Sequence, residues 1–153
     1  MKHLPLFATV VALTTSTLIA RADEIRHCDF EVKARCVSGN AEVTLANGVV
    51  TKLEVNVDWC GLHGRLGYSC TVDSSRSEHD AVWSEEGGAT VITNGSPFNP
   101  TQPDKVIVTV GKKDVSIDMD EAQSAGRCGA GAELPRAIVI PAQKGMCRVS
   151  LPP

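Results

Sequence analysis

The chain has 153 residues with 18 acidic against 15 basic side chains, a net charge of −3, and 42% apolar residues. That is the length of one domain able to bury a core, and the mild acidity, with no basic run longer than Lys112-Lys113, argues against nucleic acid as a partner. Aromatic residues make up only 4% of the chain, too few for a sugar- or base-stacking platform.

At the amino terminus, Met1, Lys2 and His3 precede a mostly apolar run from Leu4 to Ala20, and Ala20-Arg21-Ala22 forms a small-x-small triplet before Asp23. Residues 1–22 are expected to be a cleaved signal peptide, because the run is too short and too Thr-rich for a membrane anchor. Residues 23–153 then form a single domain of 131 residues with 13 basic and 18 acidic side chains, a net charge of −5. No segment of this mature chain is apolar enough to span a bilayer, so the expected location is secreted or periplasmic.

All six cysteines, Cys28, Cys36, Cys60, Cys70, Cys128 and Cys147, lie beyond the cleavage site. An even count in an exported chain reads as three disulfides. Two arguments about their pairing conflict. Along "CDFEVKARC", apolar and polar residues alternate from Cys28 to Cys36, the pattern of a strand with one wet face. Eight steps at strand rise separate these two cysteines by about 26 Å, too far to bond each other. Against this, residues 41–70 and 105–147 read as a weak internal duplication, each a hairpin followed by Cys-Gly and a later Cys. Equivalent halves would pair Cys60–Cys70 and Cys128–Cys147, leaving Cys28–Cys36. The connectivity stays open among fifteen.

The next stretch predicts a hairpin. Ala41, Val43 and Leu45 share one parity, and Val49, Leu53, Val55 and Val57 share another. A two-residue Asn47-Gly48 turn would pair Leu45 with Val50 and split these sets between faces. A three-residue loop, Ala46-Asn47-Gly48, pairs Leu45 with Val49 and keeps one apolar face, so that register is expected.

In "DWCGLHGRLGYSC", residues 58–70, Cys60 and His63 have the spacing of two metal ligands. Zinc would need two further ligands at similar spacing, and His27 and His79 stand alone. A catalytic thiol at Cys60 would leave an odd cysteine among its partners. Disulfide bonding is therefore expected at Cys60, with Trp59 and Tyr68 packed over the bridge.

Further strands are expected at 66–73, 81–84, 88–93, 136–141 and 145–150, separated by loops at 73–80 and 93–104. A second hairpin sets Val106, Val108 and Val110 against Val115, Ile117 and Met119, with Asp114, Ser116 and Asp118 outward. "DVSIDMDE" resembles a calcium loop in its alternating oxygens, but Met119 stands where the required glycine would be. Residues 120–134 hold at most one helical turn before the glycines. The expected fold is all-β: a small antiparallel sandwich or barrel, stabilised by disulfides, with a single core.

Function on such a scaffold belongs to exposed segments. No nucleophile elbow, P-loop or dinucleotide fingerprint occurs, and no cofactor or metal is expected. An exported non-catalytic binding module is the reading these features support, in its concrete form an inhibitor or binder of an extracellular or periplasmic protein. The acid excess favours a basic partner, for which lysozyme is an example. The interface is expected around His79, Trp83, Glu85 and Glu86, where an aromatic anchor neighbours exposed carboxylates. Two alternatives are a small exported hydrolase using His79 with Glu78, Asp80 or Glu85, and an envelope-associated structural protein. Oligomeric state is not legible.

Overall fold

A computed structural model describes residues 22–60, 67–79, 81–95, 104–124, 127–128 and 134–153. The expected signal peptide, His63 and Asp80 fall outside these, apart from Ala22. In chain order the elements are β1 (Glu24–Val32), a 3₁₀ turn (Lys33–Arg35), β2 (Val37–Ala46), β3 (Val49–Trp59), β4 (Tyr68–Ser75), β5 (Ala81–Glu86), β6 (Ala89–Asn94), β7 (Asp104–Val110), β8 (Asp114–Asp118), a short helix α1 (Asp120–Ser124), β9 (Ala137–Pro141) and β10 (Arg148–Ser150). They form two antiparallel sheets, ordered β1-β2-β3-β4 and β10-β9-β8-β7-β6-β5. Within each sheet every strand pairs with its sequence neighbours, with tight turns joining β2 to β3, β5 to β6 and β7 to β8. One hydrophobic cluster takes side chains from both sheets, among them Phe30, Leu53 and Val72 from the first and Ile92, Ile117 and Ile140 from the second. The expectation of an all-β antiparallel fold, sandwich or barrel, is therefore met, as two sheets sharing one hydrophobic cluster.

Three disulfides tie this arrangement together: Cys28–Cys147, Cys36–Cys60 and Cys70–Cys128. Neither Cys28–Cys36 nor the pairing implied by an internal duplication forms. Cys28–Cys147 joins β1 to the run-in of β10, where Asp29 bridges Met146 and the Cys147 amide donates to the Asp29 carbonyl at 2.8 Å. Cys70–Cys128 joins β4 to the turn beyond α1. The first link ties the four-stranded sheet to the segment entering β10 of the other sheet and the second ties it to the turn after α1, and such bridges persist in an oxidising, extracellular type of environment.

The strand expected over Cys28 to Cys36 ends at Val32. The chain reverses through Lys33–Arg35, and Cys36 adopts a left-handed conformation, φ 53°, with its amide donating to the Lys33 carbonyl. Alternation continued through the turn because polar turn residues mimic outward strand positions; polarity does not report chain direction.

The first hairpin also corrects the expected register. Asn47 and Gly48 both have positive φ, 53° and 82°, and form a two-residue turn that pairs Ala46 with Val49 and Leu45 with Val50. Thr44 then pairs with Lys52, so Thr51 is an extra residue, a bulge. The bulge restores the parity that the turn alone would have broken: Val50, Leu53, Val55 and Val57 all face the core, and Val49 is exposed. The second hairpin follows expectation, with Val108 opposite Ile117 and Val110 opposite Val115.

Candidate functional site

The outer face of the first sheet is built from the residues that alternate with its core positions. Register brings them into three rungs across the four strands. One rung is His27, Glu42, Glu54 and Asp73; the next is Asp29, Asn40, Asn56 and Thr71; the third is Glu31, Ser38, Asp58 and Ser69. These rungs carry six carboxylates and neither lysine nor arginine. Glu42, Glu54 and Asp73 stand abreast on adjacent strands, where opposed side chains lie about 5 Å apart at Cβ and like charges repel.

A ladder of side-chain hydrogen bonds orders the face. The Asn56 amide donates to Asn40 Oδ1 at 3.2 Å and to Glu54 Oε1 at 3.0 Å, and Thr71 Oγ1 donates to Asn56 Oδ1 at 2.7 Å. Ser69 donates to Asp58 Oδ1. Lys52, one step beyond the first rung, reaches Glu54 at 2.8 Å. That bond raises the Lys52 pKa, and with the Asn56 amide it holds the Glu54 carboxyl below its ordinary value. His27 sits 3.5 Å from Asp29 and 3.8 Å from Glu42.

At the third rung the face runs into an open groove of about 530 Å³. Trp59 and Tyr68 stand opposite each other in register, with ring centroids 5.0 Å apart in an edge-to-face arrangement. The Cys36–Cys60 bridge lines the same groove, and Trp59 packs against the hydrophobic core, sharing the strand parity of Val55 and Val57.

The residues singled out from the sequence lie elsewhere. Trp83, Glu85 and Glu86 are on β5, and His79 is in the turn before it. Arg76 organises this corner: its guanidinium lies 5.0 Å from the Trp83 ring centroid, pairs with Glu85 and donates from Nε to the Val50 carbonyl at 2.7 Å. Thr90 Oγ1 also donates to Glu85, at 3.0 Å. Trp83 is half-buried against the core and Glu86 accepts from Ser84 at 2.9 Å. His79 is exposed and makes no hydrogen bond or ion pair among the described residues. The structure thus brings Trp83 and Glu85 together through Arg76, and joins neither to His79. Among the described residues no three His, Cys, Asp or Glu side chains are grouped as metal ligands.

The acidic face was missed in the sequence because its members are spread from residue 27 to residue 73. The available signal was the alternation of acidic with apolar residues along β1, β2 and β3; only register shows that they align. Comparison with known proteins finds no matching family model, no matching curated protein and no matching solved structure.

Proposed function

We propose that the protein is an exported, non-catalytic binding module, secreted or periplasmic, that engages a basic protein through the outer face of its four-stranded sheet. The supporting observation is the rung Glu42–Glu54–Asp73. Glu54 is held ionised by Lys52 and Asn56, and Glu42 and Asp73 on either side of it leave the rung with an excess of negative charge that repels across the strands. A positively charged ligand relieves that repulsion, and such a face accelerates encounter with a positively charged partner. An inhibitor of a basic envelope-degrading hydrolase such as lysozyme is one form of this function. The hydrolase alternative has less support, since Glu85 is engaged by Arg76 and Thr90 while His79 stands apart from both.

The test is binding to lysozyme and to a neutral protein of similar size by calorimetry at low and physiological ionic strength. Binding of lysozyme alone, weakened by salt and lost in the combined variant Glu42→Gln, Glu54→Gln, Asp73→Asn, is expected. Absence of any complex at low ionic strength would overturn the reading for lysozyme, and the same result across a panel of basic exported proteins would overturn it altogether.

A further inference from the structure

β5 is the outermost strand of the six-stranded sheet and pairs only with β6. Gly87 and Gly88, with φ of 58° and 86°, make a two-residue turn that closes on Glu86 and Ala89. The closing pair of such a turn exchanges hydrogen bonds, and bonded and non-bonded pairs then alternate along the antiparallel ladder. Ser84 and Val82 therefore bond to β6, while the main-chain N–H and C=O of Trp83 and Glu85 point away from it. Arg76 engages the side chains of these two residues, through the Trp83 ring and the Glu85 carboxylate. Among the described residues no backbone hydrogen bond reaches their outward main chain.

The other sheet ends are guarded. β1 bridges Met146 and takes the Cys147 amide at Asp29, β4 is bonded through Cys70 to Cys128 and carries Asp73, and β10 has three residues with Pro152 and Pro153 soon after. Natural edges resist pairing by being short, bulged, charged or proline-containing. β5 has six residues in unbroken register, no Lys, Arg or Pro, and Val82, 71% exposed, on its outer face.

We propose that β5 is a self-association edge: two copies of the chain pair their β5 strands antiparallel, about a two-fold axis at Ser84, and join their six-stranded sheets. Charge selects this arrangement. Both acids of the strand, Glu85 and Glu86, lie at its end. A parallel, in-register addition sets them beside their counterparts, and a two-fold at Glu85 sets that carboxylate against itself; like charges so placed are destabilising. About Ser84, Trp83 of one copy faces Glu85 of the other and Val82 faces Glu86, so no acid opposes an acid, and the outward groups of Trp83 and Glu85 satisfy one another. One short strand edge buries less than the roughly 1,000 Å² of a stable complex, so the dimer is weak, with a Kd of about 10 µM to 1 mM. The acidic face belongs to the other sheet, so this dimer stands or falls separately from the proposed function.

Analytical ultracentrifugation of the full disulfide-bonded protein from about 10 µM to about 1 mM should show monomer passing into dimer. Val82→Glu, which sets an acid opposite Glu86 of the other copy, should weaken the dimer about threefold or more; Val82→Lys, which sets a cation there, should tighten it about twofold. Val82 is exposed, so both variants should keep the melting temperature of the dilute monomer. Under mild oxidation Ser84→Cys should cross-link two copies, because the two-fold brings these Cα atoms to about 4.5 Å, whereas in Val82→Cys they lie about 13 Å apart along the strands and should not bond. A protein still monomeric at about 1 mM would overturn the self-pairing and leave the edge to a strand of another protein. A dimer that responds alike to Val82→Glu and Val82→Lys, or that cross-links through Val82→Cys rather than Ser84→Cys, forms elsewhere on the molecule and would overturn it as well.

Discussion

Glu42 and Glu54 face each other across β2 and β3, with Asp73 next on the same rung. Glu54 is compensated directly by Lys52 and Asn56, whereas Glu42 has His27 at 3.8 Å and feels Lys52 only at longer range. Replacing Glu42 by Gln should therefore raise stability by about 0.2–1 kcal/mol, the range for relieving a cross-strand charge pair. The urea midpoint should move up at unchanged slope, and the gain should shrink in high salt. A lower midpoint would mean that the rung is not repulsive, and would remove the main support for a ligand on this face.

Asp104 is 2% exposed and accepts from Arg127 at 2.6 Å, while its other oxygen has no hydrogen-bond partner among the described residues. In the amide orientation that satisfies both groups, the Asn94 oxygen also accepts from Arg127. Arg127→Met should cost about 3–5 kcal/mol, because it strands a buried carboxylate. Asp104→Asn should cost less, since Arg127 keeps Asn94 and partial access to water. Urea denaturation of the two variants decides the order, and equal costs would refute the asymmetry.

Burial raises the Asp104 pKa despite the opposing pull of Arg127. The folded state then binds this proton more readily than the unfolded state, so the Asp104 contribution improves as pH falls from neutrality towards its ordinary value of 3.8 and is lost as pH rises through the raised pKa. Glu54 and Asp120 have lowered pKa values, from the hydrogen bonds of Lys52 and Arg136 respectively, and act in the other direction: their stabilisation is lost as pH falls below the usual carboxylate range. The stability of the wild type relative to Asp104→Asn should therefore increase on acidification. A difference that is flat or of opposite slope between pH 7 and 4 would contradict this.

The disulfides should differ both in cost and in accessibility. Sequence separations of 24, 58 and 119 for Cys36–Cys60, Cys70–Cys128 and Cys28–Cys147 correspond to about 3.4, 4.2 and 4.9 kcal/mol in the chain-entropy model. Cys60 is exposed and Cys28 buried. Limited reduction with peptide mapping should open Cys36–Cys60 first, and paired Cys→Ala variants should show the largest loss of melting temperature for Cys28–Cys147. Prior opening of Cys28–Cys147 would show that the two sheets separate before the groove does.

Gly39 lies on β2 directly opposite Phe30. A Cβ there would collide with the Asn56 carbonyl and stand 2.7 Å from Phe30 Cζ. Backbone on one side and a buried ring on the other leave no room to relax, so Gly39→Ala should cost about 1–3 kcal/mol or more. A variant with an unchanged melting temperature would show that β2 can shift away from Phe30.

How much of this was legible follows from what each signal reports. Alternation and turn residues determined most of the strands, the second hairpin and the single core, and the even cysteine count beyond an export signal determined that all six cysteines are bonded, because these depend on local polarity and on compartment chemistry. The same signals misplaced the corner at Lys33–Arg35 and the register after Asn47-Gly48. A polar turn residue looks like an outward strand residue, and the Thr51 bulge leaves no mark beyond the parity it repairs. Sequence pointed to β5 for the interface because Trp83, Glu85 and Glu86 are adjacent in the chain, yet Arg76, fixed on β3 and β5 together, occupies that corner. Only the tertiary structure could decide which cysteines bond and that carboxylates from four strands share one face, because both depend on which strands lie side by side, a long-range property that no local pattern encodes.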